Sequence, residues 1–183
     1  MGTWTLDPLH TQVEFSAKHF GMMTVRGHFA EVTVTGDVLP DQPERSKIEV
    51  TIRTASIRTH NEQRDKDLRS SYFLEAEKYP TMTFKSTRIE KKGDDRGTMT
   101  GDLTIKGITK PVTLNVVKYG EFNDPQMGHR IGYAAETKIN RKDFGMSFDA
   151  MVDGKFVVSH DIQINIEGEL VEVEKKVETG AAG

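Results

Sequence analysis

Six histidines, at positions 10, 19, 28, 60, 129 and 160, are the side chains best suited to metal binding or acid–base work. None falls at the i, i+2 or i+4 spacing of a local metal motif, and HExxH is absent, so no metal ion is expected. His10 reads as a turn residue bonding nearby backbone. His19 alternates onto an apolar face beside Phe15 and Ala17, which suits either a satisfied rim histidine or a head-group contact. No pair of carboxylates forms a recognisable catalytic couple, and Asp94, Asp95 and Asp124 lie in turn contexts. The run Arg64, Asp65, Lys66, Asp67, Arg69 reads first as an exposed helix face with internal ion pairs, and only secondarily as an acid–base pair of Arg64 and Asp65. GxGxxG, GxxxxGK[ST] and GxSxG are all missing, so nucleotide-phosphate loops and the hydrolase elbow are unsupported. Without cysteine there is no disulfide, thiol nucleophile or cysteine zinc site.

What remains is apolar. Phe15, Phe20, Met22, Met23, Val25 and Phe29 surround one connection, and Phe144, Met146, Phe148, Met151 and Phe156 gather late in the chain. Nine Phe and eight Met are conspicuous in a chain whose mean hydropathy is -0.54. Met adapts to irregular apolar ligands and Phe supplies area. The same residues would serve equally well as core that plugs the ends of a barrel.

Period-two alternation positions these residues, because it marks strands with one wet and one buried face. It runs through Val13, Phe15 and Ala17, then Ala30, Val32 and Val34 after a connection from Gly21 to Gly27. It returns at Ile48, Val50 and Ile52, at Met82 and Phe84, and at Met99, Leu103 and Ile105. A turn from Lys106-Gly107 to Lys110-Pro111 leads to Val112, Leu114 and Val116, which predicts a hairpin. Ile131, Tyr133, Ala135 and Ile139, then Ile162, Ile164, Ile166 and Leu170, bring the count to about eight strands. Residues 60–74 break the pattern: Asn61 is a plausible N-cap and Leu68 an apolar anchor, so one helix is expected near 61–72. Eight antiparallel strands avoid open edges by closing into a barrel, although a flattened sandwich fits the pattern too.

The 183 residues suit one domain over 1–170, followed by a tail over 171–183 that is charged and then small. A net charge of -3, from 25 Lys plus Arg against 28 Asp plus Glu, argues against a nucleic-acid partner. The apolar runs are too short for a membrane-spanning helix, and MGTWTLDPLH lacks a basic-then-apolar signal layout, so a cytoplasmic location is expected.

Four blocks resemble the YceI-like family: LDPLHTQVEFSAKHFGMMTVRGHF at 6–29, SIRTHNEQRDKDLRSSYFLEAEKYPTMTFKS at 56–86, GDLTIKGITKPVTL at 101–114 and INRKDFGM at 139–146. The resemblance spans about residues 3–170. It implies an all-β fold, a lipocalin-like antiparallel β-barrel with one inserted helix around an elongated apolar cavity. That cavity would bind a polyprenol, polyprenyl phosphate or prenyl quinone, with no cofactor and no catalytic set. The expected lining is Phe15, Ala17, Phe20, Met22, Val25, Phe29, Phe84, Met99, Leu103, Tyr133, Phe144, Met146, Phe148 and Ile164. Lys18 and His19 are the expected head-group contacts. Within INRKDFGM, Gly145 suits a tight bend, and Arg141 with Asp143 a turn-holding pair. Many relatives carry an export signal. The competing expectations are an enzyme acting on a lipid inside the barrel, or a structural or partner-binding domain with a filled core. An exposed apolar opening would favour a homodimer that covers it.

Overall fold

In the computed structural model, which describes residues 3–173, twelve strands, one α-helix and three short 3₁₀ turns follow one another. The strands are β1 (Thr3–His19), β2 (Met23–Phe29), β3 (Val32–Asp37), β4 (Lys47–Arg53), β5 (Ile57–Arg58) and β6 (Thr81–Lys91). They continue as β7 (Arg96–Ile105), β8 (Ile108–Asp124), β9 (Gly128–Asn140), β10 (Met151–Val152), β11 (Lys155–Phe156) and β12 (Asp161–Val173). Helix α1 (Glu62–Arg69) lies between β5 and β6.

Ten of the strands form one antiparallel sheet in the order β3-β4-β6-β7-β8-β9-β12-β1-β2-β5. The two ends of that order meet, because β2 runs through Ala30 and Glu31 directly into β3. Hydrogen bonds from Ala30 N to Ser56 O (3.1 Å) and from Arg53 N to Glu31 O (3.0 Å) carry the pairing across the bend. Counting β2–β3 and β4–β5 each as one bent strand turns ten segments into eight runs around a barrel. The count of eight therefore agrees at the level of runs and differs at the level of segments. The segment expected as a connection, 21–27, is largely β2. Only Phe20, Gly21 and Met22 make the turn, two of them at positive φ.

The expected hairpin between β7 and β8 is present, but its turn is only Lys106 and Gly107, both at positive φ (51° and 73°), and Ile108 to Pro111 already belong to β8. Strand β12 runs past the expected domain boundary at 170 to Val173, while 174–183 of the expected tail lie outside the described residues.

Strand directions divide the barrel into two ends. At one, α1 and the segment 141–160 form a cap over a buried cluster of Ile57, Leu74, Met82, Ile105, Ile139, Phe144 and Met146. Asn61 caps α1 as expected, its side chain accepting from Arg64 N at 2.9 Å. Leu68 packs on the cluster. The helix is not simply a solvated charged face. Asp65 is buried and accepts from both Thr59 N (2.8 Å) and Thr59 Oγ1 (2.5 Å), and Arg64 donates to Thr59 Oγ1 and Thr59 O. Those two charges stitch the helix to the barrel, and the secondary acid–base reading loses its free groups. Arg141 holds the cap together, but Asp149 is its partner in place of Asp143, which is exposed. Gly145 takes the left-handed conformation (φ 74°) that only glycine adopts at no steric cost.

Candidate functional site

At the opposite end the barrel stays open between the β3–β4 loop (38–46) and the β6–β7 turn (92–95). A cavity of about 710 Å³ runs inward from there and reaches Leu68, Met146 and Val158 beneath the cap. Its size suits a single ligand chain.

The inward face of each strand makes the wall, and period two explains which residues those are. Strand β1 contributes Val13, Phe15 and Ala17, and β8 contributes Val112, Leu114 and Val116. Strand β12 contributes Ile162, Ile164 and Ile166. Of the expected lining, Phe15, Ala17, Phe29, Phe84, Met99, Leu103, Tyr133, Met146 and Ile164 all face this space. Two glycines keep the lumen wide. Phe15 lies against Gly27 and Phe84 against Gly101, where a side chain would collide with the ring.

The other expected residues lie elsewhere. Phe144 is buried in the cap cluster, so it is a plug, and Phe148 packs edge-on to Tyr72 and against Phe73 on the outer side of the cap. Phe20 sits in the β1–β2 turn against the His19 ring, and Met22 is exposed beside it. Val25 pairs with Ala17 near the capped end but is not part of the cavity wall. Lys18 and His19 are also at the capped end and exposed, with Lys18 Nζ donating to Thr24 Oγ1. They are as far along β1 from the mouth as the strand allows. The alternation placed them on a strand end correctly, but nothing local tells which end of a barrel is open.

Lys118, which the expected lining leaves out, also reaches the cavity. Lys118 continues the inward series Val112, Leu114, Val116, and Tyr133 is its cross-strand partner on β9. A lysine at an inward-facing position was the available signal. Lys118 Nζ is ion-paired with Glu121, which raises the ammonium above its ordinary value. Burial raises the Tyr133 phenol above 10.0, with Lys118 opposing, so the group stays protonated and acts as a donor. Asp41 and Glu44 from the β3–β4 loop, Asp94 and Asp95 from the β6–β7 turn and Arg96 at the start of β7 complete the rim. At the other end, the Arg141 guanidinium donates to Met146 O (2.6 Å), Ser159 O (3.0 Å) and Val158 O (3.2 Å). Burial lowers it from 12.5, and Asp149 opposes that shift.

His10 bonds the Asp7 carboxylate at 2.8 Å, not backbone as expected. Asp7, His10 and Glu169 converge where β1 bulges away from β12 between Leu6 and Thr11. Arg130 Nη1 lies 2.8 Å from Asp7 and 2.7 Å from Glu169. The Arg130 guanidinium bridges the two carboxylates there.

The YceI-like domain model matches residues 4–170. The chain belongs to the YceI-like family. Protein YceI of Escherichia coli O17:K52:H18 is 42% identical over 159 residues, covering 87% of this chain and 81% of that protein. The crystal structure of the Campylobacter jejuni YceI protein superposes with a TM-score of 0.75 at 35% identity, covering 86% of this chain and 90% of that one. Two more distant structures share the fold. Burkholderia cenocepacia BcnA has a TM-score of 0.79 at 21% identity, covering 90% of this chain and 99% of that one. A polyisoprenoid binding domain from Saccharophagus degradans has a TM-score of 0.63 at 13% identity, covering 94% and 100%. This YceI-like barrel contains no helix, among the described residues, that is long and apolar enough to cross a membrane.

Proposed function

We propose that the protein binds a long-chain isoprenoid lipid in its barrel and acts as a carrier or sequestering protein. The carrying observation is the open-mouthed cavity of about 710 Å³ with an apolar wall. Each buried CH₂ contributes about 0.8 kcal/mol, so about ten of them give roughly 8 kcal/mol before the cost of ordering the ligand. Little polar recognition is needed for such a chain. A branched, unsaturated isoprenoid also suits a wall built from Val, Ile, Phe and Met, whose irregular contour a polarizable side chain can follow. The fold shared with a polyisoprenoid binding domain supports the same ligand class.

Binding is favoured over chemistry by the state of the ionisable groups that reach the lumen. Tyr133 is held protonated, Lys118 is ion-paired with Glu121, and Arg141 is committed to three carbonyls. None of the three is a free base or nucleophile. Organic extraction of the purified protein followed by mass spectrometry should recover an isoprenoid, and delipidated protein should take up added polyprenol. Repeated recovery of no lipid, together with no uptake, would defeat the reading.

A further inference from the structure

We infer that the mouth selects ligands by head-group charge, admitting uncharged oxygen-bearing heads such as an alcohol and disfavouring the phosphate esters of the same chains. This rests on the lipid-binding reading and narrows it to one class of head group.

A ligand whose chain fills the lumen must leave its head at the rim, because the capped end is closed by packed side chains. Four rim carboxylates, Asp41, Glu44, Asp94 and Asp95, have no ion-pair partner among the described residues, and all four border the cavity. Lys118 faces inward at this level and is already neutralised by Glu121. Lys91, paired across from Gly97, and Arg96 also border the cavity, so the unpaired charge among its lining residues at this end is four negative against two positive. A phosphate monoester carries about -1.5 to -2 charges near neutral pH and would meet this surplus at close range.

An uncharged head meets something different. The Tyr133 hydroxyl lies on the inward face beside Lys118, close enough to Asp41 and Glu121 to feel their charge, and no protein acceptor takes its proton among the described residues. It is therefore a free donor for a hydroxyl or carbonyl oxygen placed just inside the rim. Two features thus act in the same direction: a neutral donor for neutral heads, and a negative collar against negative ones.

The test compares farnesol with farnesyl monophosphate as competitors of a bound apolar fluorophore. Farnesol should bind about tenfold tighter or more at low salt, since a single contact between like charges at about 4 Å in water costs near 1 kcal/mol and two charges are involved. The gap should shrink toward the value set by chain burial alone near 1 M salt, where the screening length is about 3 Å. The double variant Asp94→Lys/Asp95→Lys should bring the phosphate ester level with or ahead of the alcohol, and a denaturation midpoint close to that of the unaltered protein shows that the variant folds. Tyr133→Phe should weaken farnesol several-fold with the phosphate ester little affected. Equal or tighter binding of the phosphate ester by the unaltered protein would overturn the inference while leaving the lipid reading intact. Failure of both ligands to displace the fluorophore would overturn the lipid reading and this inference with it.

Discussion

The ring of Phe15 lies against Gly27, its antiparallel partner across β1 and β2, so closely that a methyl group at position 27 would sit 2.5 Å from Phe15 Cζ. The same group would come within 2.8 Å of Arg58 O, so neither ring nor backbone leaves room. Gly27→Ala should drive the Phe15 ring into the lumen. The expected cost is about 1–3 kcal/mol, typical of overpacking, measured by chemical denaturation, together with weaker uptake of long-chain ligands. Unchanged stability and unchanged uptake would show that the contact is not a constraint.

That contact also explains why β2 resembles a connection in sequence. Gly21 and Gly27 look like punctuation in sequence, and the adjoining Met22 and Met23 look like a loop cluster. Only Gly21 serves a turn, with φ 68°, whereas Gly27 is buried in a strand to let a ring from the neighbouring strand pass. Alternation made most of the wall legible, since burial on one face of Val112, Leu114 and Val116 or of Ile162, Ile164 and Ile166 is a local property. The direction of the cavity was not legible. Which end α1 and 141–160 cover depends on contacts such as Asp65 with Thr59 and Arg141 with Ser159, and those are tertiary. Lys18 and His19, expected at the mouth, therefore lie at the other end of their strand. Phe144 shows the same gap from another side. Composition could not separate a plug from a lining, and the cap makes it a plug.

Arg141 is the keystone of the closed end. It is 1% exposed, and its guanidinium satisfies the carbonyls of Met146, Val158 and Ser159 while lying 5.9 Å from the centre of the Phe73 ring. Arg141→Leu fills similar space yet strands three acceptors, each unsatisfied buried group costing about 1–3 kcal/mol. A loss of about 3 kcal/mol or more is expected, with faster hydrogen exchange concentrated in 141–160. A change below about 1 kcal/mol would mean that water replaces the guanidinium without penalty.

Near the mouth, His129 joins three strands. Its Nδ1 lies 2.9 Å from Glu172 on β12, its Nε2 lies 2.6 Å from Glu121 on β8, and its ring meets Trp4 of β1 edge-on. Hydrogen bonds to Glu172 and then Glu121 raise the imidazole above 6.5. A raised folded-state value means that the protonated histidine binds its proton more tightly in the folded protein than in the unfolded chain. Its stabilisation is thus fully present below pH 6.5 and is lost as the pH rises through the raised value. Glu121, lowered from 4.5 by Lys118 and then His129, acts oppositely and loses its contribution as the pH falls through its lowered value. Denaturation midpoints should therefore decline on the alkaline side of pH 6.5, and His129→Gln should flatten that decline. Parallel curves for the two proteins would show that the network contributes nothing measurable.

Ala135 offers the most direct separation of folding from ligand capacity. It faces the cavity halfway along β9, paired with Val116 on β8 and Ile166 on β12, both also on the wall. An indole placed there projects into open space, so Ala135→Trp should occupy part of the about 710 Å³ without displacing core. Overpacking penalties arise where a core is already full, and this one is hollow. Stability should therefore hold or rise slightly, because the new ring buries apolar area against the opposite wall. A long chain would lose that stretch of lumen, and forfeiting even two buried CH₂ groups at about 0.8 kcal/mol each lowers affinity more than tenfold. The expected pair of results is a midpoint within a few degrees of the unaltered protein and a polyprenol uptake that is largely abolished. Normal uptake by a well-folded Ala135→Trp protein would mean that the ligand does not travel through the barrel, and would move the search for its site to the outer surface.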